Sequence, residues 1–204
     1  YKAHSYHTKV PHLAIVPSIL HYTEPGDIVL DAFGGSGMTG VAAQWCGLAP
    51  SAYRHELEME WTGNRGTGTD HYRNYDRDHI VRIVGKPELF GSSDPAFRGD
   101  RSRHNPEELL VAALSACHML SYLHVCVKNG VVVTAYADRA TGTLKTIGDG
   151  GRMAEVVLYP AVTVRDAHMM EKARSLHGEA HKLCFIANSV NFPVRCEPDI
   201  QVAS

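Results

Sequence analysis

Hydrophobic and polar positions change period several times along the chain, and each period assigns an element. Leu13, Val16 and Leu20 lie at near-helical spacing behind Pro11, which suits a first helical turn, so residues 11–23 read as a helix. Glu24-Pro25-Gly26-Asp27 is a turn signal, residues 28–33 form a short apolar strand, and Gly34-Gly35-Ser36-Gly37 opens a second helix over 38–45. From His55 the pattern differs. Leu57, Met59 and Trp61 alternate with Glu58 and Glu60, the period of two expected of a strand. Residues 62–68 read as a hairpin-like turn, 79–84 as another strand, and 87–103 as a long polar loop.

Asn105-Pro106-Glu107-Glu108 is a helix start: Asn105 can cap, Pro106 suits the first helical position, and Glu108 stands where a capping box needs a carboxylate. Residues 109–127 are almost wholly apolar and would span about 28 Å as a helix. A helix apolar on every side predicts burial at the centre of a soluble domain, and Gly130 ends it. Strands are expected at 131–139 and 155–164, about a turn at 148–151. An amphipathic helix follows over 167–183, with Met169, Met170, Ala173, Leu176 and Ala180 on one side, and residues 191–202 close as a strand. This order gives an α+β class rather than alternating α/β.

At 204 residues the chain is one domain, or one domain plus a fragment. The formal net charge of -2 supplies no basic field for nucleic acid or an anionic membrane. Cys117, His118, Ser121 and His124 interrupt the long apolar run, so no transmembrane helix is expected. The opening Tyr1-Lys2-Ala3-His4 has neither an initiator Met nor a secretory signal, which reads as a segment whose beginning is missing.

Five cysteines, Cys46, Cys117, Cys126, Cys184 and Cys196, are too few and too irregular for a secreted disulfide scaffold and suit a reducing cytoplasm. His177, His181 and Cys184 fall at i, i+4 and i+7 and would share a helix face, but the expectation is a solvated face and no metal. Cys117 and Cys184 lie on different helices with apolar faces, so they can meet across a core. A buried thiol is inert unless a cation lowers its pKa, and composition alone equally allows both to be small core hydrophobes.

Residues 55–204 resemble the OsmC/Ohr family of thiol peroxidases. The resemblance is carried by Asn105-Pro106-Glu107-Glu108-Leu109, Ser115-Ala116-Cys117-His118, His181-Lys182-Leu183-Cys184 and the Gly63-Asn64-Arg65-Gly66 turn. It implies an OsmC-like fold, with antiparallel sheets around a buried central helix, in an intertwined homodimer. It also implies that Cys117 is the peroxidatic thiolate, Cys184 the resolving thiol, Arg65 the stabilising cation and Glu107 its orienting carboxylate. The implied substrates are an organic hydroperoxide and a lipoyl-type dithiol reductant, with no cofactor. Ten residues along a helix separate Glu107 and Cys117 by about 15 Å and about 80° of rotation, so the two cannot touch directly. Either the long Arg65 side chain bridges them, the helix is broken, or a partner subunit supplies the Arg and the Glu, and the expectation is that partner residues contribute. His118 and Phe185-Ile186 depart from the aromatic residue and the Cys-Pro common in the family. Cys126 and Cys196 are expected to be bystanders.

The segment before residue 55 resembles the AdoMet-binding part of amino-group DNA methyltransferases, through Tyr6-His7-Thr8-Lys9-Val10-Pro11 and Asp31-Ala32-Phe33-Gly34-Gly35-Ser36-Gly37. Asp31, Phe33, Gly35 and Gly37 would be the vestige of a cofactor loop. The Asp/Asn-Pro-Pro-Tyr/Phe motif of that family is missing, as are the other strands its pocket needs, so no methyltransferase activity is expected. The division is therefore a partial β-α segment at 1–54 and a peroxidase-like domain at 55–204, joined as in a fused reading frame. Two other functions stay open: a non-catalytic OsmC-like thiol protein and a remnant AdoMet-dependent methyltransferase.

Overall fold

The computed structural model describes residues 54–203. The helix, strand and glycine loop expected before residue 54 lie outside the described residues. The first sheet orders β1 (Glu58–Trp61), β2 (His79–Arg82) and β3 (Leu89–Gly91), all antiparallel. The expected turn after β1 forms locally, since the Asn64 side-chain oxygen accepts from the Gly66 and Gly68 amides at 2.8 and 3.0 Å. The chain nevertheless does not return until Tyr75, which bridges Asn64 ahead of β2. The expected loop at 87–103 contains β3 and a short 3-10 turn at Pro95–Phe97, because Phe90 pairs with Ile80 on the free edge of β2.

Helix α1 (Pro106–Lys128) starts as expected. Asn105 accepts from the Glu108 amide at 2.8 Å, and Glu108 accepts from the Asn105 amide at 3.2 Å. Asn129 and then Gly130, at φ 71°, stop it. After α1 come β4 (Val133–Asp138), β5 (Thr141–Ile147), β6 (Gly150–Leu158) and β7 (Pro160–Val164). The glycine turn is thus the tip of the β5–β6 hairpin, with Ile147 opposite Gly150. A 3-10 turn at Ala167–Met169 leads into α2 (Met170–Leu183), and β8 (Val194–Cys196) and β9 (Asp199–Val202) close the chain.

Two further three-stranded sheets result, ordered β4-β7-β9 and β5-β6-β8. The antiparallel pairings expected are present, and two parallel ones join them: β6 pairs with β8, and β7 with β9, in parallel. Parallel neighbours need a long crossover, and α2 supplies it. The chain changes sheet at Arg139-Ala140, at Tyr159 and at Glu197-Pro198, so each single strand expected at 155–164 and 191–202 is two. Asp138 pins the first two changes, accepting from the Tyr159 amide at 2.7 Å and from Ser115 Oγ on α1 at 2.6 Å.

One correction concerns α1. By length and composition it could cross a bilayer, yet it packs against α2, β4 and β5. Its buried residues are Leu114, His118, Tyr122, Val125 and Cys126, one stripe rather than the whole circumference. Leu120 and Val127 stay 63% and 79% exposed. Burial follows the elements available to cover a face, and among the described residues the elements cover one face of α1. Its C-terminal half joins Val162, Val164, Leu176, Ala180 and Ile200 in one core, while Leu114 joins Met153, Val156 and Leu158 in a second.

Candidate active site and a buried histidine pair

The two thiols that the sequence singles out meet. Cys117 lies half-buried on α1, and Cys184 is the buried C-cap residue of α2; both are free. Packing of α1 on α2 brings Cys184 within interaction range of Cys117. Burial pushes the Cys184 thiol up to about 11, and the neighbouring Cys117 adds to that rise. Against it, the Ala187 and Ile186 amides donate toward the Cys184 sulfur and favour its thiolate. These amides are aimed by the turn at Ala187–Ser189, where the Asn188 amide donates to the Cys184 carbonyl at 3.0 Å.

Arg65 and Glu107 are not brought to each other within the chain. Arg65 lies in the connection from β1 to β2 and forms a two-pronged ion pair with Asp76, its Nε donating at 2.8 Å. That hydrogen bond raises the Arg65 pKa and lowers that of Asp76. Glu107, in the first turn of α1, has a buried Oε2 with no hydrogen-bond partner. It lines a cavity of about 730 Å³ together with Val111, Ala116, Met119, Asp138 and Met153. The cavity reaches Ala116, beside Cys117, but neither sulfur lines it.

Sequence reasoning missed a third group. His118 Nε2 lies 3.0 Å from His177 Nδ1, and Cys196 Sγ lies 3.5 and 3.6 Å from those two atoms. Both histidines are buried. Tyr122 stacks on His177 with ring centroids 3.9 Å apart, and its hydroxyl donates to the Ala173 carbonyl at 3.1 Å. Burial holds His118 down at about 4 and His177 at about 3, and pushes Cys196 up to about 12. The face of His177, His181 and Cys184, expected to be solvated, instead has His177 and Cys184 buried and only His181 partly exposed. The spacing of His118 and Tyr122 on the buried stripe of α1 was a partial signal, since it aims His118 inward. Cys196, taken for a bystander, faces both rings.

Residues 99–199 match the family model described as OsmC-like protein. Residues 1–48 match a DNA methylase family model, in agreement with the N-terminal resemblance. No curated protein matches. Among solved structures, an OsmC-like protein of unknown function from Vibrio cholerae is 31% identical, with a TM-score of 0.65. The alignment covers 72% of this chain and all of that one. An organic hydroperoxide resistance protein from Legionella pneumophila is 18% identical with a TM-score of 0.55, over 74% of this chain and 98% of its own. The organic hydroperoxide resistance protein OhrB of Bacillus subtilis is 17% identical with a TM-score of 0.51, over 72% and 98%. These last two show the α+β fold. With the level of identity to the Vibrio protein and its full coverage, the chain belongs to the OsmC-like protein family.

Proposed function

We propose that the domain at 55–204 is a cysteine peroxidase that reduces organic hydroperoxides to alcohols. The observation that carries the reading is the meeting of Cys117 and Cys184, two free thiols from separate helices. The Cys117 thiolate attacks the distal peroxide oxygen. The O–O bond breaks, the alkoxide takes a proton and leaves as the alcohol, and Cys117 becomes a sulfenic acid. The Cys184 thiolate then attacks that sulfur. Hydroxide leaves and is protonated to water, and a Cys117–Cys184 disulfide remains. A dithiol of the lipoyl type reduces it by exchange and is itself oxidised to a disulfide.

Arg65 and Glu107 enter this reading across a homodimer. The unpartnered Glu107 oxygen awaits a cation, and the uncovered apolar face of α1 is what a second copy would bury. In that assembly Arg65 exchanges Asp76 for a place beside Glu107 and the thiolate of Cys117. The cavity along α1 takes the apolar body of the hydroperoxide. A reducing cytoplasm is the compartment in which such a thiol pair cycles.

A second reading, a non-catalytic thiol protein, draws on the burial of Cys184 and on the Arg65–Asp76 pair. Consumption of an organic hydroperoxide in the presence of dihydrolipoamide decides between them. The peroxidase reading expects multiple turnovers by the wild type, none by Cys117→Ser, and one equivalent by Cys184→Ser. Inert wild-type protein that keeps both thiols under peroxide would establish the second reading.

A further inference from the structure

His118, His177 and Cys196 occupy the junction of the two cores. His118 stands on α1 between Leu114 of one core and Tyr122 of the other, His177 comes from α2, and Cys196 ends β8. A buried polar group is tolerated where its hydrogen bonds are complete. Here they cannot be completed within the triad. Each imidazole nitrogen offers one in-plane site, a proton or a lone pair. A bond between His118 Nε2 and His177 Nδ1 uses both inner sites and leaves the Cys196 thiol, almost equidistant from the two, without a lone pair to donate to. The outer nitrogens, His118 Nδ1 and His177 Nε2, are also buried without a partner among the described residues.

The triangle has a different fit. A tetrahedral metal with bonds of about 2.0–2.1 Å to nitrogen and about 2.3 Å to sulfur needs a nitrogen–nitrogen edge of about 3.3 Å and nitrogen–sulfur edges of about 3.6 Å. The observed edges are 3.0, 3.5 and 3.6 Å. The ring centroids lie 5.3 Å apart with planes 11° from parallel, so the inner nitrogens face each other, and a swing of both rings toward Cys196 lets a single cation take up both inner lone pairs and the sulfur together. We propose that His118, His177 and Cys196 form a binding site for a thiophilic divalent cation of the zinc class, with one coordination position left open.

The electrostatics agree. Neutral imidazole is the form that ligates, and a bound cation deprotonates a coordinating thiol outright. Two neutral imidazoles, one thiolate and a divalent ion leave one positive charge, and the Asp138 carboxylate is close enough to act on both Cys196 and His118. Tyr122 holds the His177 ring in place by stacking. The outer nitrogens lack the acceptor that usually buttresses a metal-bound histidine, so the affinity falls below that of a fully buttressed structural zinc site. The proposal is independent of the peroxidase reading, whose steps use no metal.

Cobalt(II) titrated into the reduced full chain is the test. The expected result is one ion per chain, with the visible bands of a tetrahedral centre, a near-ultraviolet sulfur-to-cobalt charge-transfer band, and displacement by zinc. Cys196→Ser removes the charge-transfer band. His118→Ala and His177→Ala each weaken binding by more than the roughly 10–100-fold that a lost buttressing group costs. His181→Ala and Cys184→Ser leave the spectrum unchanged. X-ray absorption on the wild-type zinc form, which needs no variant to fold, is expected to show one sulfur and two imidazole ligands. No tetrahedral bands, a two-sulfur shell, or a spectrum that depends on His181 and Cys184 would overturn the proposal.

Discussion

The outer sheet β1-β2-β3 and the seam between α1 and α2 are built on opposite principles. Every residue of β1 is exposed, and Leu57, Met59, Trp61 and Phe90 are among the exposed apolar side chains. Ion pairs lace this sheet: Arg82 reaches Glu60 at 2.6 Å and Glu88 at 2.8 Å, and Arg65 holds Asp76. Exposed pairs of this kind are screened by solvent and add little to stability. The seam is the reverse, with Tyr122, Leu176 and Ala180 fully or almost fully buried. In the proposed reaction the difference would separate two jobs: the seam holds the two thiols, whereas the outer sheet offers its arginine on an exposed surface.

Substitutions on the two regions should therefore part company. The largest effect is on the seam and on chemistry: Cys117→Ser is expected to reduce hydroperoxide turnover to background while leaving the denaturation midpoint in place. Leu176→Ala should cost about 2–5 kcal/mol in urea unfolding, because rigid neighbours leave a cavity. In the outer sheet the reverse pattern is expected. Arg65→Ala should lower kcat/KM for an organic hydroperoxide by about a hundredfold, as loss of a charge-stabilising group does, without moving Tm. Equal losses of stability from Leu176→Ala and Arg65→Ala would break the comparison.

The Cys184 thiol adds a pH dependence. A pKa raised to about 11 keeps it protonated near neutrality. Its thiolate fraction grows about tenfold per pH unit below that value. Disulfide formation after one equivalent of peroxide, followed by stopped-flow fluorescence or rapid quench, should accelerate accordingly up to that pH. For a thiol whose pKa folding raises, the linked stability is complete below the unfolded value and is lost as pH rises toward about 11. The smallest effect is at the helix start, where Asn105→Ala should cost about 1 kcal/mol by removing half of the capping box.

Much of the domain could be read before it was seen. The cap, the span and the stop of α1 are local: they depend on Asn105, Pro106, Glu108 and Gly130, each acting on its nearest backbone. The apolar face of α2 was legible for the same reason, since helical periodicity places Met169, Ala173, Leu176 and Ala180 together. Strand breaks were harder to read. Nothing in the alternation at 155–164 marks Tyr159 as the residue where the chain leaves one sheet for another, because that change is set by Asp138 from a different strand. The one-sided burial of α1 was hidden too: an apolar sequence states that a face can be covered, not which element covers it.

By itself, then, the sequence determined the α+β class, the two main helices and the two cysteines that stand on their inward faces. Those features rest on short-range rules of capping, periodicity and turn chemistry. Tertiary structure alone decided the parallel strand pairs, the retention of Arg65 by Asp76 and the gathering of His118, His177 and Cys196. The last group joins α1, α2 and β8 across 59 and 78 residues of chain. No local pattern carries such a meeting, because it follows from how the two cores close on each other.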